Sequence, residues 1–166
     1  SSVAVGLAQE TLGDLSGKRV IVIGAGETGE LTARALTEQG VRSVFVANRH
    51  YDRAIGLAQR FGGQAVRFDS LPAELERADI VLSSTSSPHN IIGRDELAAV
   101  MERRGGRPLL AIDIAVPRDI DPTVAELEGV HLRDVDDLEV CFDASVVACV
   151  ALFVGYGGTA FAVRFV

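Results

Sequence analysis

The 166-residue chain is expected to fold as a three-layer α/β/α domain built on a doubly wound parallel sheet. Three observations carry that expectation. Six short apolar segments alternate with helix-period segments along residues 1–132, with no shift of composition between them. The first of the six, Arg19-Val20-Ile21-Val22-Ile23, is a continuous β-branched run rather than an alternating one, as a strand covered on both faces requires. The bulk composition, 48% hydrophobic and 23% charged, is that of an ordinary globular domain. It excludes a disordered tail, a collagen-like chain and a small disulfide scaffold.

Taken in order, Val3, Leu7, Ala8 and Leu12 recur at helical spacing and predict a helix over residues 1–12, broken by Asp14-Leu15-Ser16-Gly17. The strand Arg19–Ile23 follows. A glycine-rich turn then opens a helix over about 27–39, stopped by Gly40. A strand at 43–47 leads to a helix over Tyr51–Phe61, ended by Gly62-Gly63, and to a short strand at 64–68. Ser70 as N-cap and Pro72 in the first turn set up a helix over Leu71–Arg77. A strand at 79–83, a helix at 94–104 and, after Gly105-Gly106, a strand over Leu109–Asp113 continue the alternation. A short helix at 122–127 and a sixth strand at 130–132 complete it. No repeat of 20–50 residues is visible, and no linker interrupts residues 1–140.

Charge and cysteine usage divide the chain into two unequal parts. The 16 basic and 23 acidic residues give a formal charge of −7, which disfavours direct nucleic-acid binding by this chain. Lys18 is the single lysine, a bias read as genome composition. Both cysteines, Cys141 and Cys149, lie beyond residue 140, where Asp143 and Arg164 are the only charges. The expected organisation is therefore one domain over residues 1–140 and an apolar tail over 141–166. Residues 144–163 carry no charge and have the length of a membrane span, although Gly155, Gly157 and Gly158 weaken them as a helix. Residues 1–13 have neither a basic segment nor a continuous apolar core, so no secretory leader is expected. A start at Ser1-Ser2 is expected to lie inside a longer chain. The cysteine-poor domain suits a reducing, cytoplasmic setting.

Gly24-Ala25-Gly26-Glu27-Thr28-Gly29 is a G-x-G-x-x-G sequence directly after a buried strand and at the opening of a helix, the context that gives this pattern meaning. Gly24 permits the tight turn, and Gly26 lets backbone N–H groups approach a pyrophosphate. Gly29 lets the helix lie close on the sheet. The fold expectation thereby sharpens to a Rossmann-like, dinucleotide-binding domain. An NAD-selective site carries Asp or Glu about 20 residues beyond the glycines. Here that stretch reads Val46-Ala47-Asn48-Arg49-His50, and the amide of Asn48 with the guanidinium of Arg49 suits a 2′-phosphate, hence NADPH. Ser84, Thr85 and Ser86, within Ser83-Ser84-Thr85-Ser86-Ser87-Pro88, follow the fourth strand, where small hydroxyl residues approach a nicotinamide and its ribose.

Asp113-Ile114-Ala115-Val116-Pro117-Arg118-Asp119-Ile120-Asp121-Pro122, after the fifth strand, is rich in turn formers and charges where a substrate would reach the nicotinamide. It holds no complete catalytic set. His50, His89 and His131 are scattered and read as turn or surface histidines. Asp119, Asp121, Glu126, Glu128, Asp134, Asp136, Asp137, Glu139 and Asp143 are irregularly spaced and read as solvated surface rather than a metal loop. No residue set has zinc-ligand spacing, and no metal site is expected.

Five segments together resemble the NADPH-binding domain of glutamyl-tRNA reductase. They are Gly24 to Arg34, Val46-Ala47-Asn48-Arg49, Ala78-Asp79-Ile80-Val81-Leu82-Ser83-Ser84-Thr85, Ile112 to Pro122, and Asp134-Val135-Asp136-Asp137-Leu138. Shikimate dehydrogenases share the glycine loop and the Asn-Arg turn, so the segment from Asp113 to Pro122 is the more specific part. The resemblance implies a two-part reaction. A cysteine thiolate takes the glutamyl group from glutamyl-tRNA as a thioester, and NADPH reduces it to glutamate-1-semialdehyde for tetrapyrrole (porphyrin and haem) synthesis. It implies that Gly24, Ala25, Gly26, Glu27, Thr28 and Gly29 bind the dinucleotide, Asn48 and Arg49 its 2′-phosphate, and that Ser84, Thr85 and Ser86 lie near the nicotinamide. It also implies a homodimer, and a glutamate-1-semialdehyde aminomutase as partner.

The family's catalytic cysteine belongs to an amino-terminal domain not represented here, and its dimerisation helices would follow Leu138. The chain is thus expected to be a partial one, inactive alone, with no catalytic residue of its own and an out-of-frame tail. Two alternatives stand beside this reading: a shikimate-dehydrogenase-like NADP oxidoreductase module, and a non-catalytic NADP-binding or redox-sensing module.

Overall fold

The computed structural model describes residues 2–24, 26–47 and 51–134. The elements run α1 (Ser2–Leu12), β1 (Arg19–Ile23), α2 (Glu27–Glu38), β2 (Arg42–Ala47), α3 (Tyr51–Phe61) and β3 (Gln64–Arg67). A 3₁₀ turn (Phe68–Ser70) leads into α4 (Leu71–Arg77), then β4 (Ile80–Ser83), α5 (Arg94–Arg103) and β5 (Leu109–Asp113). A second 3₁₀ turn (Pro122–Glu126) precedes β6 (Val130–Asp134). The six strands form one sheet in the order β3-β2-β1-β4-β5-β6, and every pairing is parallel. The tail expected over 141–166 lies outside the described residues, as do Ala25, Asn48 and Arg49.

The unbroken apolar runs are explained by the two layers that cover them. Val20, Val22, Ile80, Leu82, Leu110 and Ile112 face one side, where they pack with Ala4 and Ala8 of α1, Ala33 and Leu36 of α2, and Ala54 and Leu57 of α3. Their neighbours Ile21, Ile23, Val81, Leu109 and Ala111 face the other side, against Leu71 and Leu75 of α4 and Leu97 and Val100 of α5. Because side chains alternate along a strand, a strand covered on both faces must be apolar at every position. The three-layer α/β/α architecture follows from that. No helix among the described residues is long and apolar enough to cross a membrane.

The expected elements are all present, with shifts at their ends. β2 begins at Arg42, β4 at Ile80, and β6 runs on to Asp134 in register with Asp113. The strand expected to include Phe68 stops at Arg67, and Phe68 turns into the 3₁₀ turn. Ser70 does not cap α4 through its side chain. The turn runs straight into the helix and leaves Ser70 at φ −87°, ψ −3°, not the extended conformation from which an N-cap side chain reaches back. The helix expected at 122–127 is a 3₁₀ turn capped by Asp121, which accepts from Thr123 N at 2.9 Å.

At the amino-terminal edge of the sheet, Arg104 is 2% exposed and its guanidinium donates to the carbonyls of Leu75, Glu76, Ala78, Arg107 and Pro108. It ties the end of α4 to the turn that enters β5. Burial, and then the neighbouring Arg107, push its pKa down.

Candidate functional site

Strand order reverses between β1 and β4, so the connections that leave their carboxyl ends run to opposite faces of the sheet and open a crevice, the place where open α/β sheets hold ligands. Ile23 and Ser83 are register partners at its base. Around them lies a cavity of about 520 Å³. Gly24, Gly26 and Glu27 form one side, and Ser84, Thr85, Ser86 and Ser87 the opposite one. Apolar surface from Phe45, Val46, Ala54, Leu57, Phe68 and Ile91 lines the rest, with Arg53 of α3 at the β2 side.

The glycine loop is shaped by one neighbour. Gly24 has φ +95°, and a Cβ there would lie 2.7 Å from the Ser84 carbonyl oxygen. At Gly26 a Cβ would come within 3.3 Å of that same oxygen, and at Gly29 within 2.1 Å of Ser84 Oγ. All three glycines thus allow α2 and its approach to lie against the turn after β4. Gly26 is also the N-cap of α2 and makes no side-chain cap, which leaves first-turn N–H groups available to an anion. Ser84 Oγ is buried and has no hydrogen-bond partner among the described residues.

Two buried carboxylates stand at the end of β5 and in the segment that follows it. Asp113 is 1% exposed and accepts from Ala115 N at 3.0 Å and Ile120 N at 2.8 Å. Burial raises its pKa, against the lowering effect of hydrogen bonds from the backbone of Ile120, Ala115 and Asp119, and the nearby Asp119 carboxylate raises it further. Asp119 is 0% exposed, and its carboxylate accepts from Ser83 Oγ at 2.7 Å, Thr85 N at 2.8 Å and Thr85 Oγ1 at 2.6 Å. Between the two, Val116 projects with 82% of its surface exposed, and Arg118 pairs with Asp134 at 2.5 Å.

Of the residues singled out from the sequence, Gly24, Gly26, Glu27, Ser84, Thr85 and Ser86 meet around the cavity. Gly29 packs beneath it, Thr28 is exposed on α2 outside the lining, and Ala25, Asn48 and Arg49 lie outside the described residues. His89 and His131 are exposed, as expected. The expectation that the acidic stretch is solvated surface is corrected at Asp119, whose three donors draw it fully inside. The charges after β5 likewise turn inward at Asp113 instead of toward a substrate. Sequence reasoning passed over Arg53, although it lies only four residues after Arg49 in the sequence and in the first turn of α3. It also passed over Phe68 and Ile91, which carry no polar signal.

A family profile described as "Shikimate / quinate 5-dehydrogenase" matches residues 6–141. A glutamyl-tRNA reductase of Desulforudis audaxviator is 49% identical over 146 residues, 88% of this chain and 33% of that protein. One from Pelobacter propionicus is 52% identical over 143 residues, 86% and 33%. The solved glutamyl-tRNA reductase of Methanopyrus kandleri superposes with a TM-score of 0.79 at 45% identity, over 84% of this chain and 35% of the other. The chain spans about a third of the length of the curated relatives it matches. With its glycine loop, switch-point cavity and matched span, the chain belongs to the shikimate/quinate 5-dehydrogenase domain family, and glutamyl-tRNA reductases are its relatives at about half identity.

Proposed function

We propose that this chain is the NADPH-binding domain of a glutamyl-tRNA reductase. The observation that carries the reading is the switch-point cavity, in which Gly24 and Gly26 border an uncapped helix start and face the turn from Ser84 to Ser87. These residues fit a dinucleotide. A cradle that any Cβ would crowd suits close backbone approach to a pyrophosphate. Gly24, Ala25, Gly26, Glu27, Thr28 and Gly29 would hold the pyrophosphate. Asn48 and Arg49, joined by Arg53 on the cavity wall, would take the 2′-phosphate. Ser84, Thr85 and Ser86 would border the nicotinamide half.

Bound NADPH supplies the hydride that reduces a glutamyl thioester to glutamate-1-semialdehyde. This chain's residues bind and orient the cofactor, and the apolar wall of Phe45, Leu57, Phe68 and Ile91 limits water around it. The thiolate, the contact with glutamyl-tRNA, the homodimer interface and any aminomutase contact belong on this reading to other parts of a cytoplasmic reductase. Residues 1–140 are the NADP-binding unit and 141–166 an appended apolar tail. The shared family profile makes a shikimate-dehydrogenase-like module the second reading, and the segment from Asp113 to Pro122 speaks against it.

The test is a fluorescence titration of the chain with NADPH and NADH. NADPH is expected to bind more tightly by about tenfold or more, since a charge-assisted fork to a phosphate is lost with NADH. Arg49→Ala and Arg53→Ala should each narrow that gap. Equal affinities for the two cofactors in the unaltered chain would overturn the assignment.

A further inference from the structure

We propose that Asp119 is a positioning residue for the nicotinamide half of the cleft, acting through Thr85. The inference rests on the NADPH reading above and adds to it a residue that does not line the cavity. Asp119 is fully buried, and no cation among the described residues is shown paired with it. Its charge is instead met by three neutral donors, two of them on Thr85. The Asp119 carbonyl accepts from Ile91 N at 2.6 Å and Ile92 N at 3.1 Å, beside a parallel bridge between Ile92 and Ile120. One residue therefore joins the turn after β4, the segment entering α5 and the segment after β5.

The polarity of a carboxylate makes this junction directional. An ionised Asp only accepts, so the Ser83 and Thr85 hydroxyls must both point their protons inward. Thr85 Oγ1 in turn accepts from Ser87 N at 3.1 Å, which passes the restraint along the turn. With backbone and side chain both held, the Thr85 methyl is fixed beside the glycine loop, 3.0 Å from where a Gly24 Cβ would be. Thr85 lines the cavity, as do Ser86 and Ser87 after it and Ile91 beyond them. Asp119 thus sets the wall opposite the glycines without touching the ligand space. The residues on the β2 side, Arg53 and Val46, take no part in this network.

The test separates the two halves of the cofactor. NADPH binding is followed by its fluorescence, and binding of 2′-phospho-ADP-ribose, which lacks nicotinamide, by calorimetry. Asp119→Asn keeps an oxygen where Ser83 Oγ and Thr85 N converge but turns an NH₂ toward Thr85 Oγ1, which can then no longer donate there, and Thr85→Val removes that donor while keeping the shape. Each is expected to weaken NADPH about tenfold while leaving 2′-phospho-ADP-ribose within about twofold. The two penalties should not add in the double variant, and Thr85→Ser should restore NADPH binding. Should Asp119→Asn fail to fold, the Thr85→Val and Thr85→Ser pair decides. Equal weakening of both ligands would show a general structural role and overturn the proposal, as would no weakening of either. If the unaltered chain binds neither ligand, the NADPH reading falls and takes this inference with it. If it binds both and the variants do not discriminate, the inference alone falls.

Discussion

Asp113 and Asp119 stand six positions apart and meet burial in different company. Asp113 is held by backbone N–H groups, and burial still raises its pKa. A carboxyl raised in the folded state favours folding most fully at low pH, and that advantage is lost as pH rises from the ordinary range near 4 through the raised folded value. Asp113→Asn does not titrate. Its destabilisation relative to the unaltered chain should therefore be larger at pH 4 than at pH 7, as measured by urea unfolding at both. A gap that widens toward pH 7 would show the opposite shift. None of this was legible in the sequence. Asp113 and Asp119 sit among Pro, Arg and further Asp, a composition that reads as surface, and only the local N–H groups of Ala115 and Ile120 at Asp113 and the distant donors of Ser83 and Thr85 at Asp119 reverse that. Gly24 and Gly26, by contrast, were legible as a close-approach turn because a strand stands before them and a helix after them.

At the scale of elements, α2 and the turn after β4 are fitted to each other through glycine. Gly24 combines positive φ with a backbone collision, so Gly24→Ala should lower stability by about 2 kcal/mol or more. The conflict at Gly29 is with a side chain, whose hydroxyl can rotate although its Cβ, 3.0 Å away, cannot. Gly29→Ala should accordingly cost about 1–2 kcal/mol, and less than half as much in a Ser84→Gly background. Thermal unfolding of the single and double variants reads both effects. An unchanged Gly29 penalty without the Ser84 side chain would remove Ser84 as the cause. The elements themselves were legible because burial on two faces leaves unbroken apolar runs such as Arg19–Ile23. Their ends were less so. Phe68 and Ser70 have strand-end and N-cap chemistry, yet a 3₁₀ turn absorbs both because Phe68 is drawn to the cavity wall.

Across the whole molecule, stabilisation and binding occupy opposite ends of one sheet. The carbonyl cage around Arg104 closes the amino-terminal edge, and the cavity opens at the carboxyl-terminal edge. Arg104→Met leaves several carbonyls unpaired and should lower stability by about 3 kcal/mol. On the proposed reading, the NADPH affinity of the folded protein should stay within about twofold, since nothing at the cavity is disturbed. A parallel loss of affinity, by titration well below the melting temperature, would show that the two edges are coupled. The sheet order has a consequence for the chain as it is made. The cavity lies between β1 and β4, whose paired residues Val20 and Ile80 are sixty positions apart, and its wall waits on Asp119 further along still. A ribosome-bound chain that has exposed only the glycine loop and its helix holds no cleft. Such distant pairings are slow to form, so a ligand that grips the finished crevice rewards only chains that have completed the central pairing, and selects against those arrested halfway.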